Sequence, residues 1–287
     1  EIRLSLVGSE MCIRDRFAVN GLLARCQLSK GQAADASRTI ETLRARFEAQ
    51  GLTRFLPNMD AMLCRMALHC DDQDSADEWY RTKAPRDPMH LNVMKRYQYL
   101  TQAMVEIEQN RPDAALLTLS PLERYIQGCG RHIDGIHLNI LCALALYRKK
   151  DDAWRARLTA ALDTAAEYSF ITPVSVYSAA VLPLLEKLNR NDDTKWYKRL
   201  MAAVRTQATY YPHFLAPRMA AEELTPTELQ ILHLLCADKS NAEIAQIMNI
   251  KLPTVKTHVS HVLEKLDVKR RSEAKTAAKK LWLISNH

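Results

Sequence analysis

Apolar positions along most of this chain recur three and four residues apart, the period of a helix with one buried face. FAVNGLLARCQL (17–28), NMDAMLCRMALHC (58–70) and HLNILCALALYRK (137–149) show it plainly. Polar, helix-breaking runs interrupt the pattern about every forty residues: Lys30-Gly31-Gln32, Asp71-Asp72-Gln73-Asp74, Asn110-Arg111-Pro112-Asp113, Lys150-Asp151-Asp152 and Asn191-Asp192-Asp193. Each is followed by a second, alanine-rich amphipathic segment, such as AADASRTIETLRARF (33–47) or AWRARLTAALDTAAEY (153–168). One helical hairpin cannot bury its apolar face alone, but a stack of hairpins can. The rhythm therefore predicts an all-α chain whose residues 17–205 form an α-solenoid of hairpins with a repeat of about 40 residues, tetratricopeptide-like without the strict consensus. An irregular helical bundle is the alternative. Asp and Asn at the breaks suit the caps of the helices that follow.

After residue 205 the period is lost. The segment RTQATYYPHFLAPRMAAEE (205–223) carries Pro212 and Pro217 and predicts a linker over 206–223, with Tyr210, Tyr211 and Phe214 as anchors onto a neighbour. A second domain follows over 224–287. Thr225-Pro226-Thr227-Glu228 and Ser240-Asn241-Ala242-Glu243 each have the form of a capping box, the first with Pro at the first helical position. Four helices are expected, at about 226–237, 241–248, 254–267 and 273–283. The second and third are joined by the short turn Asn249-Ile250-Lys251-Leu252, a helix-turn-helix arrangement that the small Ala245 suits. On the third helix Val255, Val259, Val262, Leu263 and Leu266 form an apolar face. Lys256, Thr257, Ser260, His261 and Glu264 form the opposite one, which can enter a major groove.

Composition agrees with helix: glycine is scarce, seven in 287 residues, where strand-rich folds need it for turns. The net charge of +7 is uneven. Residues 224–287 hold ten basic and six acidic side chains, +4, against +3 in the rest, which suits a polyanion at the C-terminal end. Seven cysteines without a CxxC pair read as reduced core residues of a cytoplasmic protein. Tyr97, Tyr99, Tyr125 and Trp154 could line a groove, though aromatics at helical spacing more often fill a core. There is no run of apolar residues long enough to span a membrane, and neither paired catalytic carboxylates, a nucleophile with a base nor a metal cluster is found; His258 and His261 have no third ligand partner. An enzyme is not expected.

The C-terminal segment resembles the LuxR-type DNA-binding domain over about 60 residues, through Leu224-Thr225-Pro226, Glu228, Leu232, Ser240-Asn241, Glu243-Ile244-Ala245, Thr254-Val255-Lys256, His258-Val259, Lys265-Leu266, Val268 and Glu273-Ala274. With the repeats upstream, the chain resembles the C-terminal half of the MalT-like, large ATP-binding LuxR regulators. The resemblance implies a transcription regulator, an activator by preference, bound to double-stranded DNA, with RNA polymerase as a further partner and an inducer or protein on the repeats. It implies base reading by Lys256, Thr257 and Ser260, and phosphate contacts from Thr254, His261, Lys265, Lys269, Arg270 and Arg271. It also implies a dimer on DNA formed through Ala274, Ala277, Ala278 and Leu281 of the last helix. Asp238 and Asp267 stand where the family has glycine, and Lys251, followed by Leu252 and Pro253, where a serine often caps the recognition helix. A protein-interaction scaffold that no longer binds DNA is the alternative, against which Lys256 and the basic tail argue. No GxxxxGK[ST] loop occurs, so no cofactor is expected in this chain, and ATP only through a domain upstream. Glu10 to Arg16 read EMCIRDR, which resembles a translated sequencing adapter. Residues 1–16 are accordingly expected to be non-native and the natural protein longer.

Overall fold

A computed structural model of the chain describes residues 2–86, 92, 95–190, 192, 194–216, 224–266, 268 and 270–280, save for the side chains of 2–12, 127, 276, 277, 279 and 280. Among the described residues every regular element is a helix, and none is long and apolar enough to cross a membrane. The helices fall into two compact units, Glu1–Ala216 and Pro217–His287.

The first unit is the expected series of helical pairs. α1 (Ile2–Ser29) packs on α2 (Ala33–Ala49), and after a 3-10 turn α3 (Leu56–His69) packs on α4 (Gln73–Thr82). Then come α5 (Arg96–Glu108) with α6 (Pro112–Gly128), α7 (His132–Arg148) with α8 (Trp154–Glu167), and the broken pair of α9 (Thr172–Ser175) and α10 (Ser178–Leu188) with α11 (Lys195–Tyr210). First members also stack on first members: α3 on α5, α5 on α7, and α7 on α9 and α10.

The sequence rhythm has a backbone cause. Within each pair the chain turns on one left-handed residue: Gly31, Asp71, Asn110, Lys150 and Asn189, each thirty-nine or forty positions from the last. At the first four the left-handed residue donates its N–H three residues back, to Leu28, Leu68, Ile107 and Tyr147. The next residue donates five back, to Gln27, Ala67, Glu106 and Leu146, at 2.8–3.0 Å. This double closure satisfies carbonyls that a helix end otherwise leaves bare. Gly51 and Ser169 close connections between pairs in the same way. At 31 glycine is also required by space: φ is +78° and a Cβ would lie 2.9 Å from the ring of Tyr210.

Three expectations for this unit need correction. The linker does not begin at 206: α11 runs to Tyr210, and Tyr211, Phe214 and Leu215 are buried in the repeat core. Tyr211 donates its hydroxyl to the carbonyl of Leu28 at 2.8 Å, and His69 stacks on Phe214 with ring centroids 3.7 Å apart. Arg148 donates to the carbonyls of Ile107, Leu215 and Ala216. Pro212 ends the helix, but the aromatics after it still bury, and the unit closes at Ala216. Residues 217–223 lie outside the described ones. The cysteines are not uniformly core: here Cys64 and Cys142 are buried, as Cys236 is in the second unit, whereas Cys26, Cys70 and Cys129 are exposed, the last two as C-caps of α3 and α6, and the side chain of Cys12 lies outside the described ones. Tyr99 and Trp154 are core, while Tyr97 and Tyr125 are only partly covered.

The second unit packs α12 (Pro226–Cys236) against α14 (Leu252–Lys265) and α15 (Arg271–Lys280), with α13 (Asn241–Met248) against α14. Its core is Ile231, Leu232, Leu235, Ile244, Val255, Val262, Ala274, Ala278 and their neighbours.

Candidate nucleic-acid interface

Both capping boxes form. Thr225 accepts from the Glu228 amide while the Glu228 carboxylate accepts from the Thr225 amide at 2.7 Å, and Ser240 and Glu243 repeat the exchange at the start of α13. α13 ends on left-handed Asn249, and the amide of Ile250 returns to the carbonyl of Ala245. Three residues later α14 begins. Its N-cap, Lys251, makes no side-chain cap bond, and Pro253 lies in the first turn. The Leu252 and Thr254 amides of that turn are therefore left without a side-chain cap at the positive end of the helix dipole, where an anion is favoured.

Val255, Val259 and Val262 fix α14 to the core and so fix what points away from it. Thr254, Lys256, Thr257, Ser260 and His261 are all exposed. Lys256 has no ion pair among the described residues. The Thr257 hydroxyl donates to the Pro253 carbonyl at 3.2 Å, leaving its lone pairs to accept. His258 lies between the faces, with its Nδ1 buried and without a hydrogen-bond partner among the described residues.

The structure separates the other expected contacts. Arg270 is exposed, and its amide donates to Glu273 at the start of α15. Lys265 does not point outward: its Nζ lies 2.7 Å from Glu228 Oε2, and Glu228 is only 3% exposed. Lys265 and the two Thr225 donors hold the Glu228 carboxyl down at about 2, well below the usual range. His261 Nδ1 approaches the same carboxylate at 3.9 Å. Arg271 donates to Asn241 Oδ1 at 3.1 Å and to the Lys239 carbonyl, tying α15 to the start of α13. Both cations are thus engaged within the unit, Lys265 by Glu228 and Arg271 by the start of α13. Ala274 and Ala278 are likewise packed into the unit's own core, not presented to a second copy. Lys269, Asp267, Leu281 and the side chain of Ala277 lie outside the described residues.

Asp238 takes the left-handed position where the resemblance put glycine, with φ +59°, and Lys275 answers its carboxylate at 2.9 Å, lowering its pKa. Glu228 as a buried node, the Arg271 tie and the Asp238–Lys275 pair all escaped sequence reasoning. The capping box flagged Glu228, but nothing in the spacing marks Lys265, 37 residues on, as its partner.

Comparison with known proteins follows this division. The model of the MalT-like TPR region matches residues 12–191, and that of bacterial regulatory proteins, luxR family, matches residues 222–278. The HTH-type transcriptional regulator MalT of Yersinia pestis is 24% identical over 283 residues, covering 91% of this chain, as is that of Yersinia pseudotuberculosis. The transcriptional regulatory protein LiaR of Bacillus subtilis is 42% identical over 64 residues, 22% of this chain. The chain spans about a third of these relatives' own length, 31% of MalT and 30% of the length of LiaR being matched. No solved structure matches. With the repeat model covering well over half of its residues and the luxR model covering its last compact unit, the chain belongs to the MalT-like family of LuxR-type helix-turn-helix proteins.

Proposed function

We propose that the chain is the C-terminal part of a sequence-specific, DNA-binding transcription regulator, an activator by preference, with the repeat unit as its receiving arm. The single observation that carries this reading is the outward stripe of α14. Lys256 and Thr257 are exposed one helical turn before the exposed Ser260, on a helix whose other face is locked by three valines. Lys256 offers a donor for guanine O6 and N7, and Thr257 and Ser260 offer shorter polar reach to neighbouring base edges. Thr254, His261, Arg270 and the open first turn of α14 face phosphates, with Lys269 as a further expected contact. Lys265 and Arg271 are left out of that set. Self-association on DNA, a contact to RNA polymerase and an effector on the repeats complete the proposal. The dimer would use surfaces of α15 other than Ala274 and Ala278.

The test is capture of genomic fragments at two salt concentrations by this chain and by Lys256→Glu. A shared motif, weakened by salt and lost in the variant, is the expected outcome. A well-folded chain that enriches no motif would favour the scaffold reading.

A further inference from the structure

Between the first members of the second and third pairs the repeat unit holds a guanidinium that no carboxylate among the described residues neutralises. The centre is Arg65 on α3. Its guanidinium lies over the ring of Tyr97 on α5, 3.7 Å from the centroid. Nε donates to Thr101 Oγ1 at 2.7 Å and Nη2 to the Tyr97 carbonyl at 3.1 Å. These bonds use two of the five N–H groups that the fork carries. No carboxylate among the described residues pairs with Arg65, although the side chain is half-buried.

The neighbours are also donors. His137 on α7 shares a 3.0 Å hydrogen bond with the hydroxyl of Tyr177, whose side chain is wholly buried. Burial, with Arg65 and Arg25 nearby, holds His137 well below the ordinary histidine range, so it adds no charge of its own near neutral pH. Arg25, exposed on α1, likewise has no carboxylate partner among the described residues. The carboxylate that does act on this group, Asp134, is already shared between Arg96 at 3.1 Å and Arg131 at 2.5 Å. α3 thus supplies the fixed cation, and α5 supplies its aromatic floor and the two acceptors that hold it.

A half-covered guanidinium with open N–H groups is unfavourable unless something accepts from it. Elsewhere in the same unit comparable arginines are answered from within: Arg44 by Asp60 at 2.7 Å, and Arg157 by Glu123. We infer that Arg65 forms a binding site for a small oxyanion, a carboxylate or a phosphate, held by the guanidinium fork above Tyr97. Planar, paired recognition of two oxygens is the chemistry that a fixed arginine provides and a lysine does not. The site deepens the reading of the repeats as a receiving arm by naming the chemistry of what they receive. The binding itself does not depend on the DNA reading.

The experiment is calorimetric titration of the full chain in low-chloride buffer with inorganic phosphate and, separately, with citrate. Arg65→Gln, Arg65→Lys and Arg25→Gln are titrated alongside, each checked by circular dichroism and thermal melting. Binding by one or both probes is expected, with the stronger naming phosphate or carboxylate as the ligand class. Arg65→Gln should weaken it about tenfold or more, as loss of a charge-assisted pair implies. Arg65→Lys should restore little of it, and Arg25→Gln should weaken it less. Two results would overturn the inference: neither probe binding the folded chain at millimolar concentration, or either binding folded Arg65→Gln as well as wild type. The second would place the anion elsewhere, for instance on the second unit. Fragment capture reports separately on the DNA-binding reading, so the two can fail independently.

Discussion

In the repeat unit each helical pair contributes at least one wholly buried apolar side chain: Ile40, Met59, Leu119, Leu158 and Leu184 come from five successive pairs. In the C-terminal unit the core is a dozen residues without an aromatic ring, and one carboxylate, Glu228, is buried among them. The first design spreads its stability over many equivalent contacts between neighbours, so no single position holds it together. The second concentrates it: Glu228 closes the start of α12, takes the ammonium of Lys265 and thereby fixes the end of the helix that presents Lys256.

The largest expected effects would break this contrast directly. Leu119→Ala should cost the repeat unit about 2–5 kcal/mol, as cavities in packed cores do. Hydrogen exchange should show the loss across α5 to α8 and not in α12 to α15. Glu228→Gln should cost the C-terminal unit about 2 kcal/mol by leaving Lys265 without its charged partner. Exchange should rise there while the repeats stay protected. Equal loosening of both units by either change would refute the contrast.

Acid sharpens it. Burial lowers His69, stacked on Phe214 and edge-on to Tyr211, to about 4, so it is neutral when folded and the unfolded chain takes up the proton first. The stability that His69 contributes to the repeat unit is therefore full above about 6.5 and is lost as pH drops from there toward 4, with the buried His137 acting in the same direction. Glu228, held at about 2, stabilises its unit fully above 4.5 and loses that contribution only as pH falls from there toward 2. Each group contributes at most about 1.4 kcal/mol per pH unit. Melting followed separately for the two units should show the repeats weakening first. A shared window would remove His69 and Glu228 as the cause.

The smallest effect tests what the two units have in common. Lys150 and Ser169 hold left-handed backbone conformations that cost a side-chain-bearing residue about 1 kcal/mol. Ser169→Gly should raise the unfolding free energy of the repeat unit by roughly that amount, read as a higher midpoint in chemical denaturation. Asp238→Gly should gain less, because it also gives up the pair with Lys275. No gain at 169 would mean that the left-handed turn carries no strain there.

Much of this was legible in the sequence because local backbone rules write themselves into residue choice. Gly31, Asp71 and Asn110 mark turns that need a left-handed residue, and Thr225 with Glu228 or Ser240 with Glu243 spell their caps outright. The stripe of Lys256, Thr257 and Ser260 followed from helical period alone. Illegible were the pairings that only tertiary packing creates. Tyr211 reaches Leu28 across 183 positions, and no periodic pattern announces it. Lys265 and Arg271 have the composition of phosphate contacts, and their engagement by Glu228 and by the start of α13 depends on which carboxylate and carbonyl the fold brings to them. Ala274 and Ala278 mark a small-residue face correctly but not what covers it.

The repeated turn also bears on how such a chain changes length. Since Gly31, Asp71, Asn110 and Lys150 close with one and the same hydrogen-bonded ring, the ends of the first helices are interchangeable at the backbone. Excising residues 71–109 would hand the last turn of α3 to the Asn110 ring and on into α6, with no new joint to invent. Insertion or loss of thirty-nine or forty residues is thus the natural quantum of change for this architecture, and a gene encoding it can grow or shrink by whole pairs while the splice point stays chemically the same.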